Sequence, residues 1–210
     1  MSSQDPDSRR ARVQELQSAT QRAERQRSLM ILAGFGVVAA VLIGFVTVAV
    51  LDMQEERSAV QSAAQGEIDG VQEFEGLTNN HVEGPVDYPQ TPSVGGDHAA
   101  VWTNCGVYTE PVDPTQTTHS LEHGAVWIGY DPQLADDQVE ALTDIAASND
   151  YVLVSPVEGV PAPVTASAWG YQLQLESADD ERLETFVAKY AMSEEAPEPG
   201  APCSGGVGGP

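Results

Sequence analysis

The chain has 210 residues, room for one ordinary domain with attachments, and carries nine basic against 32 acidic residues, a formal net charge of −23. A surface with that excess of carboxylates repels a phosphate backbone, which disfavours nucleic acid as a partner. The charge is uneven: Arg9, Arg10, Arg12, Arg22, Arg25 and Arg27 precede Leu29 with four acids, and three basic residues with the remaining 28 (32 − 4) acids follow it.

Residues 1–28 read as a short polar segment, expected in the cytoplasm, whose arginines suit anionic headgroups. Residues 29–51, LMILAGFGVVAAVLIGFVTVAVL, contain no charge. As a helix they span about 34 Å, enough for a hydrocarbon core of about 30 Å. The apolar run is long and the region after Leu51 is a poor cleavage context, so an uncleaved signal anchor is favoured over a cleaved signal peptide. Arginines lie before the run, and Asp52, Glu55 and Glu56 follow it. The positive-inside rule then predicts a single-pass protein of the cell membrane, N-terminus in the cytoplasm and residues 52–210 outside.

Residues 52–65 lack Pro and Gly and extend the helix. Residues 66–78 read as a strand-and-turn entry with Val71 and Phe74 inward. Residues 79–97 hold three prolines and three glycines and read as loop. Strands are predicted at 99–108, 125–130, 151–157 and 164–176. A helix is predicted from Asp136, with Val139, Leu142 and Ile145 on one face and acids in its first turn. A last helix is capped by Asp179 or Asp180, with Leu183, Phe186, Val187 and Tyr190 inward. Residues 193–210 are rich in Pro and Gly and read as a separate tail. The expected fold class is α+β: a small mixed or antiparallel sheet with helices on one face, spanning 66–192 and preceded by the membrane helix.

All four histidines, His81, His98, His119 and His123, fall within residues 81–123. Histidine is the commonest metal ligand and the usual proton shuttle near neutral pH. His119-Ser-Leu-Glu122-His123 matches H-x-x-E-H, the inverted zinc-protease pattern, in which Glu122 serves as general base. Gly124 ends any helix there, and no ordered downstream Glu completes a peptidase site. A single helical turn presenting His119 and His123, with His98 or His81 brought alongside by the loop, suits zinc or copper. The alternative is that the histidines hydrogen-bond the loop to the sheet, with Glu122 orienting an imidazole. That arrangement suits an interaction or assembly module working with other envelope proteins.

Cys105 lies beside this cluster and Cys203 in the tail. Outside the cytoplasm disulfides persist. A Cys105–Cys203 bridge would close a loop worth up to about 4.7 kcal/mol in the chain-entropy model. The other reading keeps one or both as thiolate ligands beside the histidines.

Several segments taken together are distinctive: His81-Val82, Tyr88-Pro89, Pro92-Ser-Val-Gly-Gly-Asp-His98, Trp102-x-Asn-Cys-Gly-x-Tyr108 and His119-Ser-Leu-Glu-His-Gly-Ala-Val-Trp127. In this combination, over residues 66–208, the chain resembles the bacterial family called domain of unknown function 3105. Ala168-Trp-Gly170 and Pro197-Glu-Pro-Gly-Ala-Pro-Cys203 resemble its actinobacterial members. Ser93 stands where the family typically has a second proline. The resemblance implies a membrane-anchored envelope protein without an assigned activity, in which His98, His119, Glu122 and His123 form one local constellation.

Overall fold

The computed structural model describes residues 42–51, 53–55 and 57–209. The chain divides into two compact units, Met1–Glu56 and Arg57–Pro210. In the first, residues 42–51 are helical, with Leu42, Ile43, Phe45 and Val48 exposed. The expected cytoplasmic segment and the first part of the expected membrane span, residues 29–41, lie outside the described residues. Among the described residues no helix is long and apolar enough to cross a membrane.

The second unit is α+β. After helical residues 57–64 come β1 (Gln72–Glu73), β2 (Gly106–Val107), α1 (Pro114–Glu122), β3 (Val126–Tyr130), α2 (Asp136–Ala147), β4 (Val152–Pro156), β5 (Val164–Ala168), β6 (Tyr171–Leu175) and α3 (Glu181–Tyr190). The six strands form one mixed sheet in the order β1-β6-β5-β3-β4-β2. β3 and β4 are parallel, with Ile128 opposite Val154, and β2 runs parallel to β4. β3–β5, β5–β6 and β1–β6 are antiparallel.

Side chains alternate across a strand, and the alternation sorts two layers. Val126, Ile128, Val152, Val154, Leu173 and Leu175 face Leu142 and Ile145 of α2 and Leu183, Phe186 and Val187 of α3. Trp127 and Leu153 point the other way, against Leu121 of α1. The expectation of helices on one face is therefore corrected: α1 covers the opposite face. Every residue of β3 and β4 is buried, the mark of strands covered on both sides.

The predicted strand at 164–176 is a hairpin, β5 and β6, turned at Trp169-Gly170, with Gly170 at φ 78°. The predicted strand at 99–108 shrinks to β2. The residues before it run as loop, where Thr103 N donates to Gln116 O (3.1 Å) and Ala99 N to Thr115 O (3.2 Å). The helix predicted as one turn at the histidines is nine residues long.

The face under α1 is partly polar. Trp127 Nε1 donates to Ser155 Oγ (2.9 Å), and Gln172 Nε2 donates to Pro92 O (2.9 Å) and Ser167 Oγ (3.1 Å). Pro92 belongs to the Pro/Gly-rich loop, which lies directly on the sheet. A Cβ at Gly129 of β3 would stand 2.5 Å from Pro92 Cγ, so only glycine admits so close a pass.

Residues 193–209 pack on the domain instead of standing apart as a tail. Glu198 N and Gly200 N donate to Glu122 O (3.0 Å) and His123 O (3.1 Å), carbonyls that the end of α1 leaves unpaired. Asn104 N donates to Val207 O and Val207 N to Trp102 O, both at 2.9 Å. Cys105 and Cys203 are joined in a disulfide across 98 residues.

Candidate metal centre

Helix α1 is set at both ends by its sequence. Asp113 caps it, Oδ1 accepting from Thr115 N (2.8 Å), and Pro114 fills the first helical position, where no N–H is needed. At the other end His123 is the C-cap and Gly124 adopts φ 93°. Gly124 N donates to Leu121 O and Ala125 N to Ser120 O, the paired bonds of a Schellman stop. Between these ends the helix is buried, and its hydroxyls find partners: Ser120 Oγ donates to Thr103 O (2.6 Å), and Ser93 Oγ and Thr118 Oγ1 share a bond of 2.6 Å.

His119 and Glu122 are three residues apart on this helix and so share a face. Loop 79–98 lies against them. It is laced into a parallel bridge at His81 and His98, where Val82 N donates to His98 O (2.8 Å) and His98 N to Asn80 O (3.0 Å). Asn80 N and Nδ2 both donate to Asp97 Oδ1. Hydrogen bonds from Thr78 and Asn80 hold the Asp97 carboxyl below its ordinary value.

Three imidazoles and one carboxylate converge. One ligand atom each from His81, His98, His119 and Glu122 lies within 4.8 Å of all the others. Glu122 Oε2 is 2.9 Å from His98 Nε2 and 3.9 Å from both His81 Nε2 and His119 Nε2. The atoms of a tetrahedral nitrogen and oxygen set stand roughly 3.4 Å apart at ordinary zinc distances, so the widest-spaced donors, up to 4.8 Å apart, must draw together by about 1.4 Å to close the set. His98 and His119 are buried with Glu122, while His81 faces solvent.

The buried rings are held so that Nε2 is the free atom. His98 Nδ1 donates to Gly96 O (2.8 Å) and His119 Nδ1 to Ala99 O (2.7 Å). A carbonyl only accepts, so the proton of each neutral ring sits on Nδ1 and the lone pair on Nε2. Burial, with His123 and His98 nearby, pushes the pKa of His119 down, against a smaller upward pull from its bond to Ala99. His119 therefore presents an unprotonated nitrogen at neutral pH. Glu122 is fixed from behind, Oε1 accepting from Asn79 Nδ2 at 3.1 Å.

His98 and Glu122 do not make an ordinary hydrogen bond. Their atoms are 2.9 Å apart, yet His98 Nε2 is buried without a hydrogen-bond partner, because the approach lacks the required alignment. Proximity without alignment is expected of two ligands aimed at a common third point.

His123 is not part of this set. Its Nδ1 donates to Pro202 O (2.8 Å), and its Nε2 lies 3.9 Å from Glu198 Oε2. Its ring stands edge-on to His119, 4.6 Å between centroids, beside Trp102. Its ring faces the C-terminal segment, so of the four expected histidines His81, His98 and His119 are the three grouped with Glu122. His123 contributes no atom to the group of donors that lie within 4.8 Å of one another. Cys105, expected as a supporting residue, is in the disulfide and offers no thiolate. Asn79, which orients Glu122, was legible only as a polar neighbour two residues before His81. Glu198 and Pro202 lay in the stretch read as tail.

A family model described as a protein of unknown function (DUF3105) matches residues 81–205. No curated protein and no solved structure matches the chain.

Proposed function

The chain belongs to the DUF3105 family, and from that premise we propose that it binds a divalent transition metal, zinc or copper(II), through His81, His98, His119 and Glu122. The observation that carries this reading is the buried Glu122 carboxylate, faced by Nε2 of His98 and of His119, whose Nδ1 protons are given to backbone carbonyls. Asn79 supplies its one side-chain hydrogen bond. A carboxylate buried among lone pairs needs a cation beside it. Imidazole and carboxylate ligands without thiolate suit zinc or copper(II) over copper(I).

The proposal extends to location. The uncharged run at 29–51 and the arginines before it support a single-pass anchor with residues 52–210 outside the cytoplasm. The disulfide suits an oxidising compartment.

A second reading has its own observation. His98, His119 and His123 each donate Nδ1–H to a backbone carbonyl and so brace the loop and the C-terminal segment. An envelope assembly module needs no more than that. Elemental analysis of the purified full-length protein, followed by titration with zinc(II) and copper(II), separates the two. Metal held more tightly than micromolar supports the centre. Weaker binding, or binding unchanged in His98→Ala/His119→Ala, leaves the bracing role.

A further inference from the structure

The four donors are held with unequal firmness. His98 and His119 are buried with Nδ1 on backbone carbonyls, and Glu122 is buried with Oε1 on Asn79. The His81 side chain is 53% exposed, against 0%, 5% and 4% for His98, His119 and Glu122. It leans on His119, ring planes 30° apart and centroids at 4.9 Å, a contact without a directional bond. The backbone around His81 is not loose in the same way, being pinned through Asn80 and Val82 to His98 and through Asn80 to Asp97. The freedom left to His81 is side-chain rotation, which is fast for an exposed residue.

We infer that His81 is the exchangeable ligand of the centre, whose place on the ion is taken by an imidazole from outside, as on a histidine of a protein that delivers or accepts the metal. This rests on the metal-binding reading above. The bond from His81 Nε2 to the ion breaks as the bond from the incoming imidazole forms. No electron is transferred, because each donor gives the ion an imidazole lone pair. The three buried donors keep the ion throughout. An incoming ligand cannot replace His98 or His119 in this way without opening α1 or the loop, since both rings are buried.

The test uses the full-length protein, zinc(II) as the metal and free imidazole as the incoming ligand. His81→Ala is expected to keep its fold, to weaken zinc binding by about tenfold, and to regain it in millimolar imidazole. Transfer of zinc from the wild type to a chelator is expected to quicken with imidazole concentration. His119→Ala is expected to lose zinc more completely, with no recovery in imidazole. Two outcomes overturn the inference while leaving the metal site standing: His81→Ala failing like His119→Ala without rescue, or His81→Ala binding as tightly as the wild type without imidazole. A wild type that binds no zinc instead overturns the metal reading itself, and the inference with it.

Discussion

His98 Nε2 stands 2.9 Å from Glu122 Oε2 while the other nitrogen of the same ring gives its proton to Gly96 O. A neutral His98 therefore brings a lone pair against a buried carboxylate, an arrangement that calls for a positive charge between or beside them. Replacing Glu122 by Gln removes that demand while keeping the shape. Glu122→Gln is expected to lower zinc affinity by more than about tenfold while leaving the metal-free protein as stable as the wild type or more so. Isothermal titration and thermal unfolding without metal check the two halves. A large loss of metal-free stability would instead make the carboxylate a structural anchor.

The pKa of His119 is pushed down by burial from its ordinary value of 6.5. Below that value the unfolded chain takes up a proton at this position before the folded chain does. The contribution of His119 to stability is thus fully present above about pH 6.5 and is lost as pH falls toward the depressed folded value. His119→Asn, which keeps an amide donor near Ala99 O, is expected to flatten the loss of metal-free stability between neutral pH and about pH 5.5. Urea unfolding at several pH values measures this. An unchanged slope would show that His119 does not set it.

The Cys105–Cys203 disulfide holds a segment that also donates to Glu122 O and His123 O. Cys105→Ser/Cys203→Ser is expected to cost about 2–5 kcal/mol and to weaken zinc binding modestly, since the end of α1 loses part of its support. Denaturant midpoints and zinc titration of the double variant decide it. Unchanged stability would mean that the hydrogen bonds hold the segment without the bridge.

Leu121 is fully buried between α1 and the sheet, beside Trp127 and Leu153. Leu121→Ala is expected to destabilise by about 2–5 kcal/mol. Its neighbours on the helix, His119 and Glu122, should keep their donors in place in the molecules that remain folded. Chemical denaturation gives the first quantity and metal stoichiometry at low temperature the second.

How far the sequence could be read depended on where the information sat. Local patterns served well: Asp180 caps α3 as expected, its side chain accepting from Arg182 N at 3.0 Å, and the apolar faces of α2 and α3 pack as their periodicity predicts. The hairpin at Trp169-Gly170 is marked by a change of phase, inward positions being Val164, Ala166 and Ala168 in β5 but Tyr171, Leu173 and Leu175 in β6, a shift easily passed over when Gly170 is the one turn residue. The start of α1 was written in Asp113-Pro114, a cap followed by a first-turn proline. The histidine spacing by itself specifies no more than a single turn. The choice between His81 and His123 could not be made from spacing. His119 and His123 are helical neighbours by count and their rings touch, but the His123 ring bonds Pro202 O and its donor lies outside the group formed by the others. His81 reaches the others only through pairing of its loop with His98, a contact between segments that no local pattern encodes. The C-terminal segment has no periodicity because its order comes from hydrogen bonds to α1 and from the bridge to Cys105.

X-ray absorption at the zinc edge of the zinc-loaded full-length protein tests the metal centre most directly. A first shell of four ligands, nitrogen and oxygen at about 2.0–2.1 Å with the outer-ring scattering of three imidazoles, is the expected result. It should fall to two imidazoles in His81→Ala, the variant expected to retain zinc. A shell of water and carboxylate oxygens without imidazole scattering, or one unaltered in His81→Ala, would contradict it.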